Sequence, residues 1–205
     1  MKIQHLGTLA ALTLTLGAAS TPAHAAPFDE QFIDSMTPHH QSALVMAQMA
    51  ITKAKYPEVR ALARGIIADQ KKEIAYMGQL HRRFYPDAKD MPSMDMKGMS
   101  GMKMGGMKMS GDKMMMPGMM MGLPMKGMMD MGKLKSASGA NFDKMFLKMM
   151  IPHHAGAISM ADEALNVSGR PEIRGLAMKI IDAQANEIGK MHDIYDRRFG
   201  SLAKG

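Results

Sequence analysis

A histidine pair preceded by proline and methionine occurs twice in this chain. Met36, His39 and His40 recur as Met150, His153 and His154, and Met46 recurs as Met160. Neutral imidazole and thioether suit copper, and thioether in particular favours Cu(I) or Ag(I) over hard cations, which require oxygen donors. On an α-helix, Phe32, Met36, His39, His40, Ala43, Met46 and Ala47 fall within an arc of about 120°, one face. His40 lies one turn after Met36, so the two can meet on one ion, whereas His39 sits about 100° around the helix from His40. One helix therefore does not offer both imidazoles to the same ion. A second helix, or the other repeat, has to complete the site, with Met77 and Met191 as added thioethers. Histidine binds metal only when neutral, so affinity is expected to fall as pH drops through about 6.5. Methionine at helical spacing is also ordinary core filler. The doubled histidine pair is the sharper signal.

Two glutamates bear on the same chemistry. Glu73 and its counterpart Glu187 lie on the apolar stripe of their helices, among residues such as Leu62, Ile66, Met77 and Leu80. A buried carboxylate is costly unless it is paired. A histidine N–H is one partner, which would make Glu73 and Glu187 orienters of metal-binding imidazoles. A salt bridge to Arg60, Arg64 or an equivalent in the other repeat is the alternative.

A third set of donors lies between the repeats. Methionine makes up 29 of the 205 residues and is densest between positions 91 and 131. Met96, Met99, Met102, Met104, Met107 and Met109 stand at M-x-M and M-x-x-M spacings, which can gather thioethers on a soft ion. The surrounding Gly, Lys, Pro and Ser show no helical or strand period. This stretch reads as a flexible linker with weaker metal sites, or as a plain spacer or oxidation sink.

These donors need elements to hold them. Shifting residues 28–83 by 114 positions lays them on 142–197 without a gap, and about 23 of the 56 pairs are identical, the signature of a duplicated unit. Each unit reads as two helices. The first runs from about Asp29 to Ala54, with Pro38 expected to kink or restart it. The second starts at Pro57-Glu58 and ends near Phe84, before Pro86. The second unit repeats the plan from Phe142 to Val167 and from Pro171 to Phe199. The expected fold is an all-α four-helix bundle made of two repeated helical hairpins, 28–84 and 142–199, joined by a linker over 85–141.

The ends and the composition narrow the setting. Residues 1–25 read as a signal peptide: Lys2, an apolar stretch from Leu6 to Ala19, then Ala23-His24-Ala25 as a small-x-small cleavage site. A periplasmic or secreted location follows, with no membrane span after cleavage. The chain has no cysteine, which excludes disulfides. The net charge is +7, but basic and acidic residues are interspersed and aromatics are scarce, so a nucleic-acid face is not expected.

The motif M-[TI]-P-H-H-x-x-A-x-x-M-A, at Met36–Ala47 and again at Met150–Ala161, resembles domain-of-unknown-function family 305, over nearly all of 28–84 and 142–199. That family is similar to the ferritin-like bundles and includes CopM-type periplasmic copper-binding proteins. The resemblance implies copper binding and copper tolerance, with ligands at Met36, His39, His40, Met46, Met150, His153, His154 and Met160. The long methionine-rich linker departs from the short members of the family.

The functional expectation is a copper protein, Cu(I) with Ag(I) as the second ion, that buffers, confers resistance or delivers without catalysis. Its partners are metal ions, with a metal-receiving protein or a second copy of the chain left open. The competing readings are an oxidase-like metal enzyme and a bundle without metal. Glu-x-x-His, the di-iron signature, is absent: Tyr76 and Lys190 stand where its histidines would be.

Overall fold

The computed structural model describes residues 27–88 and 131–202. The expected signal peptide, and the linker methionines Met96, Met99, Met102, Met104, Met107 and Met109, lie outside the described residues. The described part is helical: α1 (Phe28–Lys53), α2 (Pro57–Phe84), a short α3 (Met131–Ser136), α4 (Gly139–Val167) and α5 (Pro171–Phe199). Asp29 and Glu30 occupy the first turn of α1, where negative charge favours the helix dipole. Pro57 and Pro171 open α2 and α5, each followed by a glutamate, using a position whose missing N–H would be unpaired anyway. Gly200, at φ +83°, closes α5 in a conformation that suits glycine.

One sequence expectation narrows and one boundary moves. Pro38 and Pro152 lie inside α1 and α4, which continue through them as single helices. Of the two outcomes expected for Pro38, a kink or a restart, the restart does not occur: each proline removes one ladder hydrogen bond and the helix goes on past it. The stretch between the repeats is also shorter than 85–141: α4 begins at Gly139, and α3 inserts the fully buried Leu134 into the core.

α1 packs chiefly on α2 and α4 on α5, and α1 and α4 also pack on each other. Antiparallel pairing follows from the contacts at the helix ends. Asp29 at the start of α1 meets Arg170 after α4 at 3.0 Å. At the other end, the buried Asp143 of α4 accepts the backbone N–H groups of Lys55 and Tyr56, at 3.0 and 2.8 Å, just after α1. α2 and α5 are likewise antiparallel: Glu58 pairs with Arg198 and Arg83 with Glu172.

The core divides into two apolar clusters. One holds Ala43, Met46, Ala47, Ile66, Leu134, Phe142, Phe146, Met150 and Met191. The other holds Phe32, Met36, Met77, Leu80, Ala157, Met160, Leu176 and Ile180. Each long helix contributes to both clusters. The change-over falls between Met36 and Ala43 on α1, Ile66 and Met77 on α2, Met150 and Ala157 on α4, and Ile180 and Met191 on α5. In each gap stand polar side chains that repeat between the two units.

Candidate metal centre

A buried polar layer crosses the middle of the bundle. α1 supplies His39 and His40, α2 supplies Gln70 and Glu73, α4 supplies His153 and His154, and α5 supplies Gln184 and Glu187. His40 and His154 are fully buried, Gln70 and Gln184 nearly so. Hydrophobic burial on both sides of this layer drives the four helices together and forces these groups inside with them.

Each glutamate holds one histidine. His40 Nε2 lies 2.8 Å from Glu73 Oε2, and His154 Nε2 lies 2.8 Å from Glu187 Oε2. A carboxylate can only accept, so Nε2 carries the hydrogen and donates it. In the neutral ring this leaves the lone pair on Nδ1. That nitrogen is buried and without a hydrogen-bond partner in both residues. Of the two partners open to the glutamates, the structure shows histidine. Arg60 instead donates to the carbonyls of Ala54 and Lys55.

The other two histidines meet across the repeats. The rings of His39 and His153 have centroids 3.8 Å apart and planes tilted by 36°. Their neighbours His40 and His154 follow at 6.4 and 6.2 Å, giving a row of four imidazoles. Ser42 gives its hydroxyl proton to the His39 carbonyl at 2.7 Å, and so accepts from His153 Nε2–H at 2.6 Å. The residue matching Ser42 in the second repeat is Gly156, which has no side chain to return the contact. Both ring nitrogens of His39, and Nδ1 of His153, are buried without a hydrogen-bond partner. Burial, first of all, and then the nearby His40 and His154, lower the pKa of His39 to about 3. Burial again, followed by His39, His154 and His40, pushes His153 well below its ordinary value. Both rings are therefore neutral at physiological pH, the form that binds metal. The expected loss of affinity near pH 6.5 moves to lower pH for these two residues.

The thioethers flank the layer in a way the helix-face reading did not foresee. Met36 and Met46 share a face of α1 but belong to different clusters, ten residues apart along the helix. Met36 and Met77 join Met160 on one side of the layer, and Met150 and Met191 join Met46 on the other. Each trio takes two sulfurs from one repeat and one from its partner, and all six side chains are buried. Thr37 donates its hydroxyl to Met77 Sδ at 3.6 Å, so this sulfur already faces a polar group.

Gln70, Gln184, Ser42 and Thr37 were not singled out from sequence. The glutamines carried a signal: both are polar, both repeat, and both lie one turn before a glutamate on the buried face. In the structure the amide oxygen and nitrogen of each are buried and make no hydrogen bond. Buried polar groups in folded proteins are normally paired. A mid-core layer holding so many unpaired nitrogens and oxygens fits a site for a cation and its donors.

Two surface grooves lie between α2 and α5. One groove there, about 450 Å³, is lined by Leu62, Asp69, Asn186 and Glu187. A second, about 440 Å³, is lined by Asp69, Glu73, Tyr76 and Leu176. One groove therefore reaches Glu187 and the other Glu73. Among the described residues, no helix is long and apolar enough to cross a membrane.

Comparison with known proteins agrees with this architecture. CopM in its Cu(I)-bound form is 32% identical, with a TM-score of 0.62, over 84% of this chain and 98% of that one. CopM has also been solved with Ag and with Cu(II). A putative secreted DUF305 protein from Streptomyces coelicolor is 26% identical, with a TM-score of 0.64, over 85% of this chain and 94% of that one. An uncharacterised protein of Acanthamoeba polyphaga mimivirus is 46% identical over 56 residues, 27% of this chain. The match spans 37% of that curated relative's length. The domain of unknown function DUF305 matches residues 29–195, nearly the whole of the described bundle, and the chain belongs to that family.

Proposed function

We propose that this protein binds Cu(I), and Ag(I) in the same way, at the polar layer of its bundle, and that it works in the periplasm or outside the cell to buffer, detoxify or deliver the metal without catalysing a reaction. The observation that carries the reading is the row of four imidazoles, two from each repeat, three of them buried and His153 half-buried, with unpaired ring nitrogens and a glutamate at each end. His39, His40, His153 and His154 are the nitrogen donors. Met36, Met77, Met160 and their counterparts Met150, Met191, Met46 are the sulfur donors on either side. The solved Cu(I), Cu(II) and Ag forms of the related CopM support the choice of metal.

The chemistry is consistent with a monovalent soft ion. Thioether and neutral imidazole are weakly polar donors that need little desolvation, and they match Cu(I) in softness. They bring no charge, so the ion's positive charge is offset through the hydrogen bonds from His40 to Glu73 and from His154 to Glu187. Burial of the sulfurs excludes hydrated hard cations. The methionine-rich stretch between the repeats, which lies outside the described residues, is assigned a separate role on its composition alone, as a set of thioethers that bind several soft ions weakly.

The test is metal content and competition titration of the full chain with Cu(I), Ag(I), Cu(II) and Zn(II). Preference for Cu(I) and Ag(I), with tight equivalents retained when residues 91–130 are replaced, supports the reading. A purified chain that takes up none of these ions supports a bundle without metal instead.

A further inference from the structure

A second cluster of metal-type donors lies away from the polar layer, and only in the first repeat. Glu30 and Asp34, one turn apart near the start of α1, meet His81 in the last turn of α2, and one ligand atom from each lies within 4.8 Å of the other two. The matching positions in the second repeat are Lys144, Lys148 and Tyr195, so the duplication did not carry the cluster over. His81 is eight residues beyond Glu73, about 12 Å along α2.

His81 is the observation that points to a ligand. The residue is 4% exposed, and its Nε2 makes no hydrogen bond although it faces Asp34 Oδ1 at 3.5 Å. Asp34 Oδ1 is likewise buried and without a hydrogen bond. Two donors bound tetrahedrally to one ion at bond lengths near 2.1 Å stand about 3.4 Å apart. The His81–Asp34 spacing matches that separation, whereas a direct hydrogen bond would bring the atoms closer and into line.

We infer that Glu30, Asp34 and His81 form a divalent-cation site, distinct from the soft-metal layer, that takes a borderline ion of the Zn(II) or Cu(II) class. Two carboxylates and one neutral imidazole balance a 2+ charge and leave open positions for water. The set lacks sulfur, so it disfavours Cu(I), while the imidazole disfavours Ca²⁺ and Mg²⁺. The chain would then hold two sites of opposite softness, one for each common oxidation state of copper. This assignment does not depend on the polar layer being a metal site.

The test is calorimetric titration of ZnCl2 into the full chain and its Asp34→Asn variant, with Cu(II) electron paramagnetic resonance on the same pair. Asp34→Asn keeps size and helix and removes one charged donor. The variant is expected to lose one Zn(II) equivalent, or to bind it at least about tenfold more weakly. It should also lose a Cu(II) signal of mixed oxygen and single-nitrogen ligation, with Cu(I) stoichiometry unchanged. His81→Gln, made separately, should give the same loss. Zn(II) and Cu(II) binding that is identical in the parent and both variants overturns the site, as does a parent chain that takes up neither ion.

Discussion

His39 and His153 come from repeats 114 residues apart in sequence, yet their rings face each other with centroids 3.8 Å apart at the centre of the bundle. His39 is buried and His153 half-buried, and neither has a carboxylate partner of its own in the described structure. The contact joins the two halves of the duplicated chain at their most polar point, and the pH behaviour of the protein should reflect it.

Stability should fall as the solution is acidified below pH 6.5. His39 is held neutral in the folded state, with a pKa lowered to about 3, and His153 is lowered too. In the unfolded chain both return to about 6.5. Below that value the unfolded state binds more protons, so the stabilisation present above pH 6.5 is lost progressively as pH falls towards the folded values. The slope is of the order of 1 kcal/mol per pH unit for each residue. Urea midpoints at pH 7 and pH 5 measure it. His39→Gln should flatten the dependence, and a parent curve that is already flat would contradict the burial argument.

Glu73→Gln and Glu187→Gln keep an oxygen that can accept the histidine N–H but remove the charge. Helicity should stay the same, while Cu(I) affinity should fall about 10- to 100-fold, as for other groups that orient a ligating imidazole. Competition with a chelator reads the difference. Equal affinity in parent and variants would reduce both glutamates to structural partners.

Met36→Leu and Met150→Leu separate packing from ligation. Leucine fills nearly the same volume, so stability should change by less than about 1.5 kcal/mol, yet the sulfur is gone and Cu(I) affinity should drop. A loss of stability with unchanged metal binding would make these residues core filler.

Much of this was legible in the sequence. The repeat, its capping prolines and the 3.6-residue stripes specified two helical hairpins, and the doubled His-His pair singled out the positions at the centre. What periodicity could not convey was which face meets which helix. Met36 and Met46 share a face on a helical wheel, but ten residues of helix carry them to opposite sides of the polar layer. Gln70 and Gln184 were not singled out because their layer exists only when all four helices are assembled. Leu134 was hidden in a stretch whose composition suggested a linker. The Glu30–Asp34–His81 cluster joins residues nearly fifty positions apart, so spacing alone did not bring it out.

Replacing residues 91–130 with a Gly/Ser segment of similar reach should leave cooperative thermal unfolding intact. Among the described residues, 27–88 and 131–202 already make up two apolar clusters and the polar layer between them. The replacement must stop before α3, because Leu134 is fully buried in one cluster. Circular dichroism melting decides the point, and a broad, non-cooperative transition would show that the removed segment contributes to the core.

The most direct test of the central claim is a Cu(I) competition titration on this linker-replaced protein, with and without glutamine at His39, His40, His153 and His154. Glutamine keeps much of the buried volume, and helicity of the variant is checked alongside. The four histidines are predicted to carry the tight binding: the parent holds Cu(I) against the competing chelator, and the folded variant releases it. A folded variant that retains Cu(I) as tightly as the parent would contradict the account and leave the polar layer as core packing.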